Sequence, residues 1–263
     1  MSFCDTLPAP RVAVTDYDGT LCLEGCVGDD TIAAIERWRE AGNAFGIATG
    51  RDLSLITHET NRRGIPFDFL ICANGAAIYD GDLNPLMQTV IPDTVVPDML
   101  RHPASRASMH LELCVAGALQ IYVADERSWF PTMGVPYREI SYEEALDAKN
   151  LQQISLAYDT FEECTAYTAA VAEAFGNMLN PQTNDVCLDI TRAGTDKCSG
   201  ILSLLSLKGW PERGLLAIGD GGNDLPMIRR FGGFTVATAT DEIKAEATGI
   251  YTSVGELLRD NMR

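Results

Sequence analysis

The sequence predicts an α/β protein in which a doubly wound parallel sheet is interrupted by an inserted block of mixed α/β structure. Three observations lead there. At both ends of the chain, short apolar runs alternate with amphipathic stretches at the spacing of βαβ units, which build parallel sheets covered on both faces. From about Leu83 to Leu188 the pattern changes to period-two alternation, the signature of half-buried strands. Polar residues also cluster just beyond the apolar runs of the outer blocks, which is where open parallel sheets bind ligands.

The elements follow in order. Val12-Ala13-Val14-Thr15 is a short β-branched run ending on Asp16. After a Gly-containing loop, Asp30 or Thr31 can cap a helix with Ile32, Ile35 and Trp38 on one side and Gly42 as its stop. Phe45-Gly46-Ile47-Ala48 reads as a second buried strand ending on Thr49, and Asp52 can cap a helix to about Arg63. Phe69-Leu70-Ile71-Cys72 is a third strand, followed by Asn74-Gly75. In the middle block Met109, Leu111, Leu113 and Val115 alternate, as do Ile121 and Val123 beyond Gly117, which predicts a hairpin. Leu151 to Tyr158 reads as another strand and Thr160 to Phe175 as a helix. The βαβ rhythm returns with a helix from about Ser199 to Lys208 and strands from Leu215 to Ile218 and Phe234 to Ala237. Ser253 and Glu256 form a capping-box pattern for a last short helix. Residues 1–82 and 189–263 are thus expected to form one core domain, with 83–188 inserted into it.

The composition narrows the classes of function. The chain has 263 residues, 46% hydrophobic and 22% charged, which is ordinary for a globular protein. Lys and Arg total 20 against 37 Asp and Glu, a formal charge of −17. A surface this acidic repels nucleic-acid backbones and anionic membranes, so a phosphorylated ligand needs cations concentrated locally. The longest apolar stretch, Met109 to Val123, is broken by Glu112 and Gln120 and falls short of the ~20 residues needed to span a bilayer. Met1-Ser2-Phe3-Cys4-Asp5 lacks the basic and apolar blocks of a signal peptide. Eight cysteines without a CxxC pair, and three histidines, argue against a zinc site and for a reduced, cytoplasmic protein. Nothing demands more than a monomer.

The chemistry concentrates at the strand ends. In Asp16-Tyr17-Asp18-Gly19-Thr20 two carboxylates one residue apart project to the same side of an extended chain. That arrangement suits a divalent metal, or a nucleophile beside an acid/base. Gly19 lets the backbone turn and present N–H groups to an anion. A calcium loop would need a Glu at its twelfth position, which here is Val27. Gly219-Asp220-Gly221-Gly222-Asn223-Asp224 is a second carboxylate cluster whose competing reading is a tight turn with an N-cap. Taken alone, Lys197 reads as an ordinary solvated lysine, and Thr49-Gly50-Arg51 is weaker still.

Together these residues resemble the haloacid dehalogenase superfamily of phosphotransferases, most closely its Cof-type sugar-phosphatase branch. DxDGT is Asp16 to Thr20, the strand-closing Thr within ATGR is Thr49, the NGA signature is Asn74 to Ala76, the third-motif lysine is Lys197, and GDGxND is Gly219 to Asp224. The resemblance implies a Rossmann-like core with a cap domain between the second and third motifs. It implies a Mg²⁺-dependent phosphatase acting on small phosphorylated, sugar-phosphate-like metabolites through an aspartyl-phosphate. Asp16 would be the nucleophile and Asp18 the acid/base. Asp16, the Asp18 carbonyl and Asp220 would hold the metal, with Asp224 supporting it. Thr49, Lys197 and N–H groups near Gly19 would bind phosphoryl oxygens, and Gly50, Arg51, Asn74 and Asn223 match positions near the substrate. Two departures stand out: Tyr17 replaces a usual aliphatic or Phe, a bulk expected to narrow the entrance, and Ala239-Thr240 replaces Asn-Ala.

The insertion aligns with no cap sequence, and its Trp129, Phe130 and Tyr137 read as core or surface aromatics. A phosphomannomutase-like isomerase is the first alternative. It would need cations on the cap, yet 83–188 has five basic residues (Arg101, Arg106, Arg127, Arg138, Lys149) against fourteen acidic ones. A non-catalytic regulatory relative ranks below it, because the nucleophile, acid and metal-ligand positions are all filled. So does a receiver-type phospho-switch, which also uses a strand-end Asp and Mg²⁺ but requires neither the acid/base Asp18 nor a cap of this length.

Overall fold

The computed structural model describes residues 9–135 and 137–262. Cys4 and the Met1–Asp5 stretch read for a leader lie outside the described residues. Among those described, no helix is long and apolar enough to cross a membrane.

The outer blocks build one eight-stranded sheet. Its strands are β1 (Val12–Thr15), β2 (Ala44–Ala48), β3 (Phe69–Cys72), β4 (Ala77–Asp80) and β5 (Pro85–Gln88), then, beyond the insertion, β12 (Leu216–Ile218), β13 (Phe234–Val236) and β14 (Gly249–Tyr251). The insertion supplies β6 (His110–Val115), β7 (Ala118–Val123), β8 (Arg138–Glu139), β9 (Leu151–Ala157), β10 (Leu179–Asn184) and β11 (Cys187–Arg192). The first sheet has the order β14-β13-β12-β1-β2-β3-β4-β5, the second β10-β11-β9-β6-β7-β8. The expected cuts at 82/83 and 188/189 therefore cross sheet membership: β5 pairs with β4 in the first sheet, and β11 pairs with β9 and β10 in the second.

From β14 to β3 all pairings are parallel, and β4 and β5 add an antiparallel edge. Among the described residues, ten helices flank the sheets: α1 (Asp29–Glu40), α2 (Leu53–Arg63), α3 (Val96–Arg101), α4 (Pro103–Ala107), α5 (Tyr142–Leu146), α6 (Phe161–Phe175), α7 (Lys197–Lys208), α8 (Leu225–Phe231), α9 (Asp241–Glu246) and α10 (Val254–Asp260). Alternation along the strands divides the core in two. Ala13, Ile47, Leu70 and Ile218 face α1, α2 and α10, while Val12, Val14, Phe69 and Ile71 face Ile201, Leu204 and Leu205 of α7. Burial on both faces explains why these strands read as unbroken apolar runs.

Helix starts are where local reading erred. α1 begins at Asp29 with Gly28 as its N-cap and no side-chain cap, so Asp30 and Thr31 lie inside its first turn. α7 begins two residues before the expected Ser199. Asp196 is its N-cap, accepting from the Ser199 N–H at 2.7 Å, and Lys197 becomes its first helical residue. Ser253 does cap α10, but the Glu256 carboxylate bonds Thr252 instead of completing the box.

Close packing brings α7 to the strand ends. Gly75 adopts φ +97°, and a Cβ there would overlap the Asp196 carbonyl oxygen. A Cβ on Gly200 would sit 2.7 Å from Ile71 Cγ2 and 2.8 Å from Gly75 Cα. Gly75→Ala should therefore lower stability by about 1–3 kcal/mol, from left-handed strain and steric overlap together. Thermal unfolding checks this; an unchanged Tm would mean that α7 tolerates retreat from the turn after β3.

Candidate active site

Four parallel strands deliver side chains to one place. Asp16 follows β1, its N–H bonded to the Ile218 carbonyl at 2.9 Å. Thr49 follows β2, its N–H bonded to Ile71, while the Asn74 N–H beyond β3 bonds to the Thr49 carbonyl at 3.0 Å. Asp220 and Asp224 follow β12, where the Asp224 Oδ2 accepts from the N–H groups of Asp220 and Gly221 at 3.0 and 2.9 Å. A Cβ on Gly219 would collide with the Asp224 carboxyl group, so this turn requires glycine.

The expectation that Lys197 is solvated, when taken alone, is overturned. Its side chain is 1% exposed, and Nζ donates to Asp16 Oδ1 at 2.6 Å and Asp224 Oδ1 at 2.7 Å. Burial works against the ammonium, but these two carboxylates outweigh it and hold the Lys197 pKa above the ordinary lysine value. The Asp16 pKa is also pushed up, by burial first and by Asp224 second, with Lys197 opposing. Asp220 is raised by burial as well, although the Thr20 hydroxyl donates to it.

Oxygens of Asp16, Asp220 and Asp224 converge to within 4.8 Å of one another. Three hard carboxylate donors crowded beside one ammonium fit a divalent cation such as Mg²⁺, which would relieve their mutual repulsion. Gly19, at φ +79°, leaves room for the Asp220 carboxylate, where any Cβ would overlap it. The Asp18 side chain lies outside this cluster. Its carboxylate is held by Arg51 in a bidentate pair, both contacts 2.7 Å, and remains half exposed. Arg51 in turn lies over the Tyr17 ring, 5.2 Å from its centroid. Tyr17 does not narrow the entrance as expected. It is buried in the core, its hydroxyl donating to Glu59 at 2.9 Å. Burial disfavours the Glu59 charge, but hydrogen bonds from Arg63, Tyr17 and Arg62 prevail and bring its pKa to about 2.

The insertion closes over this floor, leaving a cavity of about 210 Å³. Asp16, Asp18, Thr49, Gly50, Arg51, Lys197 and Asn223 line its core side. Asn74 does not. Its Nδ2 donates to Gln153 Oε1 and Asp189 Oδ2 at 3.0 and 2.9 Å, and its Oδ1 accepts from Asn223 at 3.2 Å. With its amide committed to neighbours, Asn74 is a junction between the two sheets, held at φ +48°.

The cap contributes residues that sequence reading missed. Glu112, Ser155 and Asp189 stand opposite one another across β6, β9 and β11, with Gln153 two residues before Ser155. They occupy the face opposite Leu111, Leu113, Ile154, Leu156 and Ile190, which pack into the cap's own core. Polar residues at alternate positions of an otherwise apolar strand were the available signal. Phe130 is buried in a small core cluster, as the core-or-surface reading allows, but it and the half-buried Trp129 also line the cavity, whereas Tyr137 stays behind them, edge-on to Phe130.

Residues 13–256 match the family of haloacid dehalogenase-like hydrolases. The chain belongs to that family. It is 27% identical over 253 residues to an HMP-PP phosphatase of Citrobacter koseri, covering 90% of this chain and 87% of that protein. It is 26% identical over 251 residues to the pyridoxal phosphate phosphatase YbhA of Escherichia coli K12, covering 90% and 91%. A solved subclass IIB sugar phosphatase of the same superfamily shares the fold, with TM-score 0.78 and 22% identity over 96% of each chain. Core sheet and inserted cap are thus the architecture of this hydrolase family, and the chain is one of its enzymes.

Replacing the ammonium tests the electrostatics of the site. Lys197→Met should cost about 3–5 kcal/mol at neutral pH, because it leaves buried carboxylates uncompensated. The folded-state pKa of Asp16 already lies above its unfolded value, so the folded variant binds more protons and its deficit should shrink as pH falls. Denaturant unfolding across pH checks both; a deficit independent of pH would assign the loss to packing alone.

Proposed function

We propose that this hydrolase is a magnesium-dependent phosphatase that cleaves small phosphorylated metabolites through a phosphoryl group carried on Asp16. One observation carries the reading: a buried carboxylate at a strand end, on the floor of a capped cavity, with an ammonium 2.6 Å away and two more carboxylates within ligand distance. The relatives' names, which include a pyridoxal phosphate phosphatase and a sugar phosphatase, support a small phosphate monoester as substrate.

A carboxylate oxygen of Asp16 attacks phosphorus as the bond to the leaving oxygen breaks, and Asp18 donates its proton to that oxygen. Water then attacks the phosphorus of the acyl phosphate, giving a proton to Asp18 and regenerating Asp16; one hard displacement becomes two easier ones. Asp18 is tied to Arg51 at rest, and an incoming phosphoryl group competes for that guanidinium, freeing the carboxyl group to take up its proton. Lys197 and Thr49, joined by N–H groups near Gly19, bind the phosphoryl oxygens, with Gly50 and Asn223 at the substrate's edge. Asp16 and Asp220 would hold Mg²⁺, with Asp224 behind them, since both Asp224 oxygens already accept from Lys197 and backbone N–H groups. The ion supplies positive charge that shields phosphate from the carboxylates and neutralises the transferring group. Among the described residues, the cap side of the cavity carries no Lys or Arg. That favours hydrolysis over a mutase, which must hold a second phosphate there.

Asp16→Asn should lower hydrolysis of an aryl phosphate on the order of 10³-fold or more, with the folded circular-dichroism spectrum retained. Comparable turnover in the variant would remove Asp16 from the nucleophile's place. Mg²⁺ should raise the wild-type Tm, and this shift should shrink in Asp220→Asn; equal shifts in both proteins would place the metal elsewhere.

A further inference from the structure

The leaving-group end of the cavity has two unlike walls. One is apolar: Leu55 from α2, Leu119 from β7, and Trp129, Phe130 and Met133 from the segment after β7. Leu55, Leu119 and Phe130 are buried and pack together, with Trp129 against them. Trp129 is half-buried and Met133 is 40% exposed, so both present free surface. His110 fixes this wall from behind, edge-on to Trp129 and Phe130, with its Nδ1 2.9 Å from the Ser128 hydroxyl.

The other wall is acidic and incompletely satisfied. Asp52 caps α2 through Oδ1, which takes Ser54 and Leu55, whereas its Oδ2 is buried without a hydrogen-bond partner among the described residues. Glu112 lines the same cavity, and its carboxylate has no hydrogen bond or ion pair among the described residues. Burial, aided by Asp52 and Asp189 and only partly opposed by the charge of Arg51, pushes the Glu112 pKa up to about 8, as expected of a carboxyl group without a cation in direct contact. The cavity's two cations stay at the phosphate end, Lys197 held by Asp16 and Asp224, and Arg51 by Asp18. A buried acceptor without a donor is costly, and a ligand that brings the donor removes that cost.

We propose that the leaving group of this enzyme is a planar ring bearing a hydrogen-bond donor or positive charge, the ring lying against Trp129, Phe130 and Met133 and the donor reaching Glu112 and the free oxygen of Asp52. The inference rests on the phosphatase reading and adds to it the residues that select the substrate. Large flat apolar surface favours a ring over a polyhydroxylated chain, and the unpartnered oxygen of Asp52, beside a Glu112 that only a cationic neighbour would help to ionise, disfavours a leaving group with its own negative charge.

A series that varies the para substituent tests it: 4-(aminomethyl)benzyl phosphate, 4-methylbenzyl phosphate and 4-carboxybenzyl phosphate, with a hexose 6-phosphate for comparison. The amine should exceed the methyl ester in kcat/KM by about tenfold, and the carboxylate and the hexose ester should fall below both. Glu112→Gln should bring the amine and methyl esters to within about threefold, through a raised KM for the amine. Equal kcat/KM for the two in the wild type, preference for the hexose ester, or discrimination surviving in Glu112→Gln would each overturn the proposal. A binding arm separates it from the reading beneath it. 4-(Aminomethyl)benzyl alcohol should quench tryptophan fluorescence in the wild type and lose that effect in Trp129→Leu. If no ester is hydrolysed, the phosphatase reading fails, and this quenching alone decides for or against the ring site.

Discussion

Lys197 brings one positive charge into a place that would otherwise hold only carboxylates. Removing an ammonium from water costs several kcal/mol, and only close partners offset that. Here Asp16 and Asp224 do so at 2.6 and 2.7 Å, from strand ends otherwise far apart in the chain. Much of the surrounding architecture serves this contact. The α7 N-terminus must reach the strand ends, so Gly75 and Gly200 give up their side chains. Asp224 must point back at the ammonium, so its second oxygen is pinned by two backbone N–H groups. The same carboxylates then lie close enough to share a metal.

The cap meets this floor through one polar junction and one apolar seam. Asn74 joins Gln153 and Asp189 of the cap to Asn223 of the core, and the Gln153 side chain also bonds the Gly50 carbonyl at 2.9 Å. Leu55 packs with Leu119 and Phe130 beside it. Both faces of the cap sheet are thereby used, one for its own core and one for the cavity. Period-two alternation makes that division automatic once β6, β9 and β11 pair in this register.

The readings that failed share a cause. Local propensity located α1 and α7 but misjudged their starts by two or three residues, because the N-cap is settled by which backbone groups tertiary packing leaves unpaired. The antiparallel edge of β4 and β5 carries no βαβ rhythm and was not foreseen. Tyr17 and Asn74 were assigned by motif position to the entrance and the substrate, yet each has a full set of protein partners elsewhere. Trp129 reads as a core or surface aromatic, and the fold of the cap turns it onto the cavity beside the buried Phe130.

By itself the sequence determined the alternation of strands and helices, the presence of an insertion, and the strand-end positions of Asp16, Thr49, Asp220 and Asp224, whereas the place of Lys197 beside them was implied only by the resemblance to a known family. Burial period and strand-end position are local properties, so they can be read without coordinates. Only the tertiary structure decided that Lys197 is buried, that Asp18 rests on Arg51, and that Glu112, Gln153, Ser155 and Asp189 face the same cavity. These depend on strand register and on the seating of one sheet over the other, which bring together residues separated by tens to nearly two hundred positions. No local window of sequence contains that information.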